Sequence, residues 1–438
     1  MNFRGIVKKL IPAGLFKRIE PWGHLLEAVL MQIIYGFPTR DLKVIGVTGT
    51  NGKTTTAFMI HKMMVQAGYS VGMMTTVGWG VGDEITPQIE HMTTMPSGSL
   101  LKRIKKLKSQ GAKWLVLEVT SHSLGQNRVW GIKYDVAVMT NVTHEHLDYH
   151  GTFDNYLQAK LKLFEKAAKN RGGMQTGVIN ADDKQAERFT NTMPKHITYG
   201  IKKGELKAVD IEATPAGSSF HTLYQGKSME ALSMAINTHL PGSFNVYNAL
   251  AAASVGLALQ LHPQQIEQGI ASLTAVEGRM ARLDEGQDFD VIIDYAHTPD
   301  SFEKLLSGLQ PVVKGKLVVM FGSAGRRDEA KRALQGEIAG KYADEVILTE
   351  EDDRDVDGQL ILKQIAEGAK KANKKLDRNL FLIHDRAKAI EFTLDRAKTG
   401  DTVLLLGKGH EKNIERADGL IEWDEASVAR EVLRKLQR

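Results

Sequence analysis

The stretch VTGTNGKTTT, Val47–Thr56, limits what this chain can fold into more than any other. It follows the apolar run LKVIGV and opens a helix-patterned segment, TTTAFMIHKMMVQAG, that Gly68 stops. A buried strand, a glycine-rich turn and a helix beginning at Lys-Thr form the setting a phosphate-binding loop requires. There, backbone N–H groups and the positive end of the helix converge on phosphate oxygens. The usual spacing is G-x-x-x-x-G-K-[ST]. Counted back from Gly52, its first glycine falls on position 47, which is valine, while Gly49 is too close and Gly46 one residue too far. The loop therefore reads as a variant running from Gly49 to Thr56. Its candidate nucleotide contacts are Gly49, Thr50, Asn51, Gly52, Lys53, Thr54 and Thr55. Lys53 supplies a mobile positive charge, and the Thr54 hydroxyl can ligate Mg²⁺.

A phosphate loop of this kind needs a parallel sheet behind it. Strand-length apolar runs (YSVGMMTT, KWLVLEVT, YDVAVMTNVT, TGVINADD) alternate with helical patterns, which predicts a parallel sheet covered on both faces. A second alternating series (FDVIIDYAHT, KLVVMFGSAG, ADEVILTEE, NLFLIHD, DTVLLLGKG) predicts a Rossmann-like unit after a boundary near Arg279–Leu283. The expected organisation is a helical N-terminal segment over 1–42, a central ATP-binding domain over 43–280 and a C-terminal domain over 281–438. The fold class is α/β.

Composition narrows the partners. The 438 residues carry a formal charge of +5, with no cysteine and no basic-aromatic array of the single-strand-binding type. Polyanionic small molecules suit that balance, and nucleic acid is not expected. Any metal must be held by oxygen or imidazole. The N-terminal segment sets basic residues ahead of an apolar stretch, Trp22–Phe37, that contains His24 and Glu27. It is too short to span a bilayer and lacks a small-residue cleavage site. Helices packed on the body are expected, with a peripheral membrane or partner contact as the alternative. The protein is expected to be a cytoplasmic monomer.

Glu118 ends the strand WLVLEV, on the sheet edge where open α/β proteins bind ligands. That makes it the expected carboxylate beside the loop metal. TNVTHEHLDYHG places His144, His146, Asp148 and His150 after another strand. Spacing leaves open whether one imidazole serves a second hard cation or the loop is simply polar. In the C-terminal half, Asp294 and His297 in DYAHTPDS end one strand, and Arg326, Arg327, Lys331 and Arg332 follow a second. The acidic run TEEDDRDVDG follows a third, and GKGHEK ends a fourth. Four such groups on one sheet edge suggest a mouth for a substrate bearing both amines and carboxylates, facing the ATP domain.

These motifs, together with GSFNVYNALAA and GRM and in this order, resemble the Mur ligase family from about Val44 to the C-terminus. The likeness is strongest to the branch that adds a diamino acid to a muramoyl dipeptide in peptidoglycan precursor synthesis. The resemblance implies ATP and two Mg²⁺. Lys53 and Thr54 would hold phosphate and metal, with Glu118 a ligand of the first Mg²⁺. His146 and a carbamylated Lys160 would serve the second; from its own surroundings in sequence, Lys160 reads as a solvated helix lysine. The resemblance further implies nucleotide contacts at Asn245, Asn248, Arg279, Asp294 and His297. Muramoyl-peptide contacts would be Thr93, Thr94, Thr120, Gln126 and Arg128, and amino-acid contacts Arg327, Gly407 and Glu411. The implied reaction passes through an acyl phosphate, sheltered from water by closure of the C-terminal domain.

Two departures bear on substrate. About 40 residues precede the first strand, where such ligases carry a longer uridine-binding domain, so a UDP-linked or another, lipid-linked carrier is expected. The amino-acid selector Asp-Asn-Pro-Arg of diaminopimelate-adding members is here Glu351-Asp352-Asp353-Arg354. Arginine is kept and proline is not, so meso-diaminopimelate leads and L-lysine competes. A folate or poly-γ-glutamate ligase and a P-loop ATPase without an amino-acid substrate are the other readings.

Overall fold

The computed structural model describes residues 13–88, 93–226 and 232–436, and the side chains of Asp148 and of residues 13–19 lie outside that description. The chain forms two compact units. The first takes in the chain up to Val209 with His221–Ile236 and Tyr247–Ser272, and the second Asp210–Phe220, Asn237–Val246 and Leu273–Arg438.

The strands of the large sheet are β1 (Lys43–Thr48), β2 (Val71–Met74), β3 (Gly78–Val81), β4 (Glu84–Pro87), β5 (Trp114–Glu118), β6 (Val136–Met139), β7 (Thr176–Asn180), β8 (His196–Gly200), β9 (Leu206–Thr214), β10 (Gly217–Tyr224) and β11 (Leu232–Thr238). Their order is β11-β10-β9-β8-β7-β6-β1-β5-β2-β3-β4. β1 pairs in parallel with β5 on one side and β6 on the other, and β2, β7 and β8 extend this parallel core. Near-continuous Val, Ile, Leu and Met fit strands covered on both faces. The expected parallel sheet is present. It is extended by the antiparallel strands β3 and β4 at one edge and by β9–β11 at the other, which alternation alone does not announce.

Helices α1 (Ala13–Tyr35), α2 (Lys53–Gln66), α3 (Ser97–Ser109), α4 (Ser121–Gly125), α5 (Leu147–His150) and α6 (Phe153–Ala168) belong to the first unit. The glycine inside KVIGV lets α6 close on β1. A Cβ at Gly46 would stand 2.7 Å from a Leu163 methyl and 2.8 Å from the Tyr134 ring. Leu157, Leu161 and Phe164 of α6 join Tyr134 and Leu115 in the same core.

The second unit holds β12 (Ala281–Leu283), β13 (Asp290–Asp294), β14 (Leu317–Phe321), β15 (Glu345–Leu348), β16 (Leu380–Leu382) and β17 (Thr402–Leu406), in the order β12-β13-β17-β14-β15-β16. All neighbouring pairs are parallel except β12 with β13. Alternation along β13 is clean. Ile292 enters the core on one face, and Val291 and Ile293 enter the core on the other, as a doubly wound sheet requires. A separate hairpin, β18 (Asn413–Arg416) and β19 (Gly419–Glu422), follows.

Candidate active site

The register of β1 between β5 and β6 brings three strand ends to one edge. Val47 lies opposite Glu118, and Thr48 opposite Met139. The loop leaves β1 there, and β6 braces it. Thr50 N–H donates to Asn141 O at 2.7 Å, Asn51 N–H to Asn141 Oδ1 at 3.1 Å, and Thr140 Oγ1 to Asn51 O at 2.6 Å. Gly52 caps α2 at φ 82°, a left-handed conformation that glycine adopts at no steric cost. A Cβ there would also meet Asn248 Oδ1 at 2.3 Å, and the same oxygen accepts the Thr56 hydroxyl at 3.2 Å. The variant spacing thus has a local reason: the loop is held by β6 and by Asn248 rather than by an additional glycine.

Lys53 Nζ donates to Thr50 O at 2.7 Å. Thr54 Oγ1 donates to Glu118 Oε2 at 2.9 Å, and that carboxylate oxygen also accepts Thr76 N–H at 2.9 Å and Thr76 Oγ1 at 3.0 Å. Thr54, Thr55 and Glu118 are buried. A hydroxyl and a carboxylate oxygen this close make a hard donor pair of the kind Mg²⁺ takes, so the residues fit the implied metal.

Lys160 is not a solvated helix lysine. It is 1% exposed, its Nζ donates to Gly49 O at 2.6 Å, and it lies 4.5 Å from the centre of the Tyr156 ring. Burial, reinforced by the Lys53 charge and opposed by Glu145, holds its amine well below the usual lysine range. The folded state therefore binds fewer protons at Lys160 than the unfolded chain, between that depressed value and 10.5. Stability in this window rises with pH. In metal-free, CO₂-free buffer, Lys160→Met is expected to be the more stable protein near neutrality. Its lead in urea midpoint should shrink as pH approaches 10.5; a gap that widens with pH would contradict the sign.

The histidines divide. His144 stacks on Phe153 with ring centres 4.5 Å apart, and His150 Nε2 lies 3.1 Å from Ser121 Oγ. His146 caps α5 with φ 55°, and its ring centre lies 4.6 Å from that of His122 and 6.2 Å from that of Tyr156. Tyr156 in turn shares a 2.9 Å hydroxyl contact with Thr50. Beside Glu118, Thr76 Oγ1 lies 2.9 Å from Thr93 Oγ1, and Thr94 Oγ1 lies 3.2 Å from Thr120 Oγ1. Arg128 is bonded to Thr94 O. Gln126 caps the end of α4 and bonds Tyr149. Most of the residues expected in the first unit thus form one connected patch. Thr76, Thr140, Asn141 and Tyr156 complete it; sequence reasoning missed them, and only their positions at strand ends and on α6 mark them.

In the second unit the four strand ends also share an edge. Both oxygens of Asp294 accept backbone N–H groups, from Met280 and Ala296, each at 2.8 Å. Burial raises its pKa against the pull of Arg279. Arg279 stands over the Tyr295 ring at 4.8 Å, and His297 Nδ1 lies 2.8 Å from Tyr295 O. Lys408, fully buried, bridges Asp352 Oδ1 at 2.8 Å and Glu411 Oε2 at 2.6 Å. Although burial opposes its charge, Glu411 and Asp352 raise its pKa. Tyr295 OH donates to Glu411 Oε1 at 3.0 Å. Gly407 at φ 102° leaves room beside Glu351, whose Oε2 a Cβ would meet at 3.0 Å. That buried Oε2 has no hydrogen-bond partner among the described residues. Arg354 donates from Nε to Glu415 Oε2 at 2.8 Å and from Nη1 to Gly325 O at 2.6 Å.

The remaining candidate side chains are held in different ways. Arg332 is wholly buried, bonded to Gln364 Oε1 and Ala324 O, so it packs the unit rather than lining a mouth. Arg326 is paired with Asp355. Arg327 is exposed, without a hydrogen-bond or ion-pair partner among the described residues. Asn245 Nδ2 donates to Pro241 O at 2.7 Å, one turn before Asn248 on the helix Ser243–Ala258. Glu350, Asp353 and His384 cluster closely enough to suggest a cation. However, Arg416 already meets Glu350 at 2.6 and 2.8 Å, and His384 meets Asp353 at 2.6 Å.

A braced phosphate loop at the carboxyl edge of a parallel sheet, followed by a doubly wound unit with a charged edge, defines a nucleotide-dependent α/β enzyme. Comparison with known proteins narrows that class. Residues 47–256 match the Mur ligase middle domain, and residues 278–409 the Mur ligase, glutamate ligase domain. The chain is 38% identical over 428 residues to a UDP-N-acetylmuramyl-tripeptide synthetase of Roseiflexus sp. (strain RS-1), covering 95% of this chain and 83% of that protein. It is 39% identical over 421 residues to a UDP-N-acetylmuramoyl-L-alanyl-D-glutamate–2,6-diaminopimelate ligase of Geobacillus thermodenitrificans (strain NG80-2), covering 95% and 84%. A solved structure of a ligase of the latter name superposes with a TM-score of 0.66 at 29% identity, over 96% of this chain and 83% of that one. The chain belongs to the Mur ligase family, whose members are ATP-dependent amide-bond-forming enzymes.

Proposed function

We propose that the protein joins a diamino acid to a UDP-linked muramoyl-L-alanyl-D-glutamate, with ATP cleaved to ADP and phosphate. The observation that carries this reading is the loop itself, with Lys53 bonded to Thr50 O, Thr54 set against Glu118 and Lys160 buried beneath Gly49 O, in a chain so similar to ligases of that name. A substrate carboxylate oxygen bonds the γ-phosphorus as the bond to the bridging oxygen of ADP breaks. The amine nitrogen then attacks the acyl carbon, inorganic phosphate leaves and the amine loses a proton. Lys53 and the α2 N-terminus oppose the charge that accumulates where carboxylate meets triphosphate. Thr54 and Glu118 would hold Mg²⁺, which supplies further charge neutralisation when bound. His146 and Lys160 are assigned to a second ion. The Lys160 amine, whose hold on a proton burial weakens, is suited to add to CO₂ as a carbamate with release of one proton. ¹³C NMR of protein equilibrated with ¹³CO₂ tests this: a carbamate resonance absent from Lys160→Met supports it, and identical spectra oppose it.

Thr93, Thr94, Thr120, Gln126 and Arg128 are assigned to the muramoyl peptide. Asn245, Asn248, Arg279, Asp294 and His297 are assigned to the nucleotide, and Arg327, Glu351–Arg354, Gly407 and Glu411 to the amino acid. The relatives' names favour 2,6-diaminopimelate as that amino acid, its meso form being the first reading. L-lysine is the second reading, favoured because Arg354 is already paired with Glu415 and the buried Glu351 oxygen suits an ammonium donor. Phosphate release with the UDP-linked dipeptide, screened across amino acids, decides. Release that depends on diaminopimelate supports the first reading and release that depends on lysine the second. Release indifferent to any amino acid would make the protein an ATPase, not a ligase.

A further inference from the structure

Helix α1 is amphipathic in the wrong sense for a helix that only covers a core. It packs along α3, and His24, Ala28 and Gln32 on its inner face are buried. Met31 and Tyr35 pack against the core, and Gln32 Nε2 donates to Trp130 O at 2.9 Å, while His24 lies 3.8 Å from Glu20 and from Glu27 of the same helix. The outer face carries Trp22, Leu26, Leu30, Ile33 and Ile34, at spacings that keep them on one side of a helix. Trp22 is 71% and Leu26 72% exposed, and the other three are also exposed. No charged residue interrupts this stripe. A contiguous apolar face of this kind on a folded protein marks an interaction surface.

The charges beside it select the partner. Helix α3 carries Lys102, Arg103, Lys105, Lys106 and Lys108 and no acid. Gly98, Lys102 and Lys105 recur at helical spacing on one face of α3. Position 98 is where α1 touches, since a Cβ there would lie 3.2 Å from Met31 Sδ. The exposed lysines therefore continue the row on which α1 packs. Apolar side chains bordered by a one-signed basic row fit a surface that is oily beneath and anionic above. Among the described residues no helix is long and apolar enough to cross a membrane, so the helix would lie in the interface rather than span it.

We propose that the outer face of α1, flanked by the α3 lysines, docks the protein on an anionic lipid bilayer. The full chain is mixed with vesicles of phosphatidylglycerol and phosphatidylcholine, or of phosphatidylcholine alone, and sedimented at low and high salt. Binding is expected to the anionic vesicles, weakened by salt because the charges act through water. Leu26→Asp with Leu30→Asp should lower vesicle affinity about tenfold or more. Lys102→Glu with Lys105→Glu should lower it several-fold and flatten the salt dependence. Amino-acid-dependent phosphate release in solution should be unchanged in both variants, which also shows that they fold. Failure to bind anionic vesicles at low salt overturns the proposal, as does equal binding by the Leu26/Leu30 variant. A dimer in analytical ultracentrifugation that the Leu26/Leu30 variant abolishes, without vesicle binding, would assign the face to a second copy instead.

Discussion

Replacing Lys53 with alanine is expected to lower kcat for amino-acid-dependent phosphate release by about a hundred- to a thousandfold. The ammonium sits at the start of α2, with a neutral carbonyl, Thr50 O, as its hydrogen-bond partner. Its charge is therefore not consumed by a carboxylate, and it adds to the positive end of the helix. The effect belongs in kcat more than in KM for ATP. Backbone N–H groups of the loop still bind ground-state phosphate, whereas the charge that builds when a carboxylate meets the γ-phosphate depends on the cation. A second consequence follows at Lys160. Lys53 is one of the causes holding that amine below its usual range, so its removal should let Lys160 retain a proton to higher pH and shift the pH profile of residual activity upward. Circular dichroism should show an unchanged fold, since β6 and Asn248 brace the loop independently of the lysine. A variant with native kcat would remove Lys53 from the reaction.

Arg386→Met is expected to produce the largest loss of stability, about 3–5 kcal/mol, read from urea unfolding. The guanidinium is wholly buried. Nε and one terminal nitrogen donate to the two oxygens of Glu425 at 2.8 and 2.6 Å, and the remaining bonds reach Glu350 O at 2.9 Å and Leu406 O at 2.8 Å. Taking away the cation leaves Glu425 buried with Trp423 Nε1, at 2.7 Å, as its remaining described side-chain donor. A buried carboxylate in that state costs far more than the pair contributes when whole. Adding Glu425→Gln should restore part of the loss, a non-additivity expected of partners in contact. Because Arg386 holds the carbonyls that follow β15 and end β17, partly folded variants should also bind the amino acid less tightly. A loss under about 1 kcal/mol would mean that the buried pair relaxes into water.

The strand-loop-helix around Val47–Thr56 was legible because it is local: apolar run, glycines and Lys-Thr lie within a few residues of one another. Glu118 and the four strand-end groups of the second unit were legible at one remove, since a parallel sheet delivers successive strand ends to one edge. Lys160 was not. In NYLQAK it looks like any surface lysine, and its burial arises because Gly46 and the core residues of α6 draw that helix onto β1. Arg332, expected among the charges of the mouth, is sealed inside the second unit, and so is Arg386, which no motif singles out. The strands β9–β11 lack the continuous apolar runs of the parallel core; their alternating burial marks a sheet edge with one wet face.

By itself the sequence determined the class of chemistry, because a phosphate loop is a short-range object whose geometry is written in consecutive residues. It also determined two α/β units, because strand and helix periods are local too. Tertiary structure decided which charges are chemical and which are structural. A side chain's protonation and reach depend on what packs against it from distant parts of the chain: Gly49 O over Lys160, Thr54 on Glu118, Glu425 around Arg386. It also decided that α1 turns its most apolar side chains outward, an orientation that the 3.6-residue period permits but cannot choose.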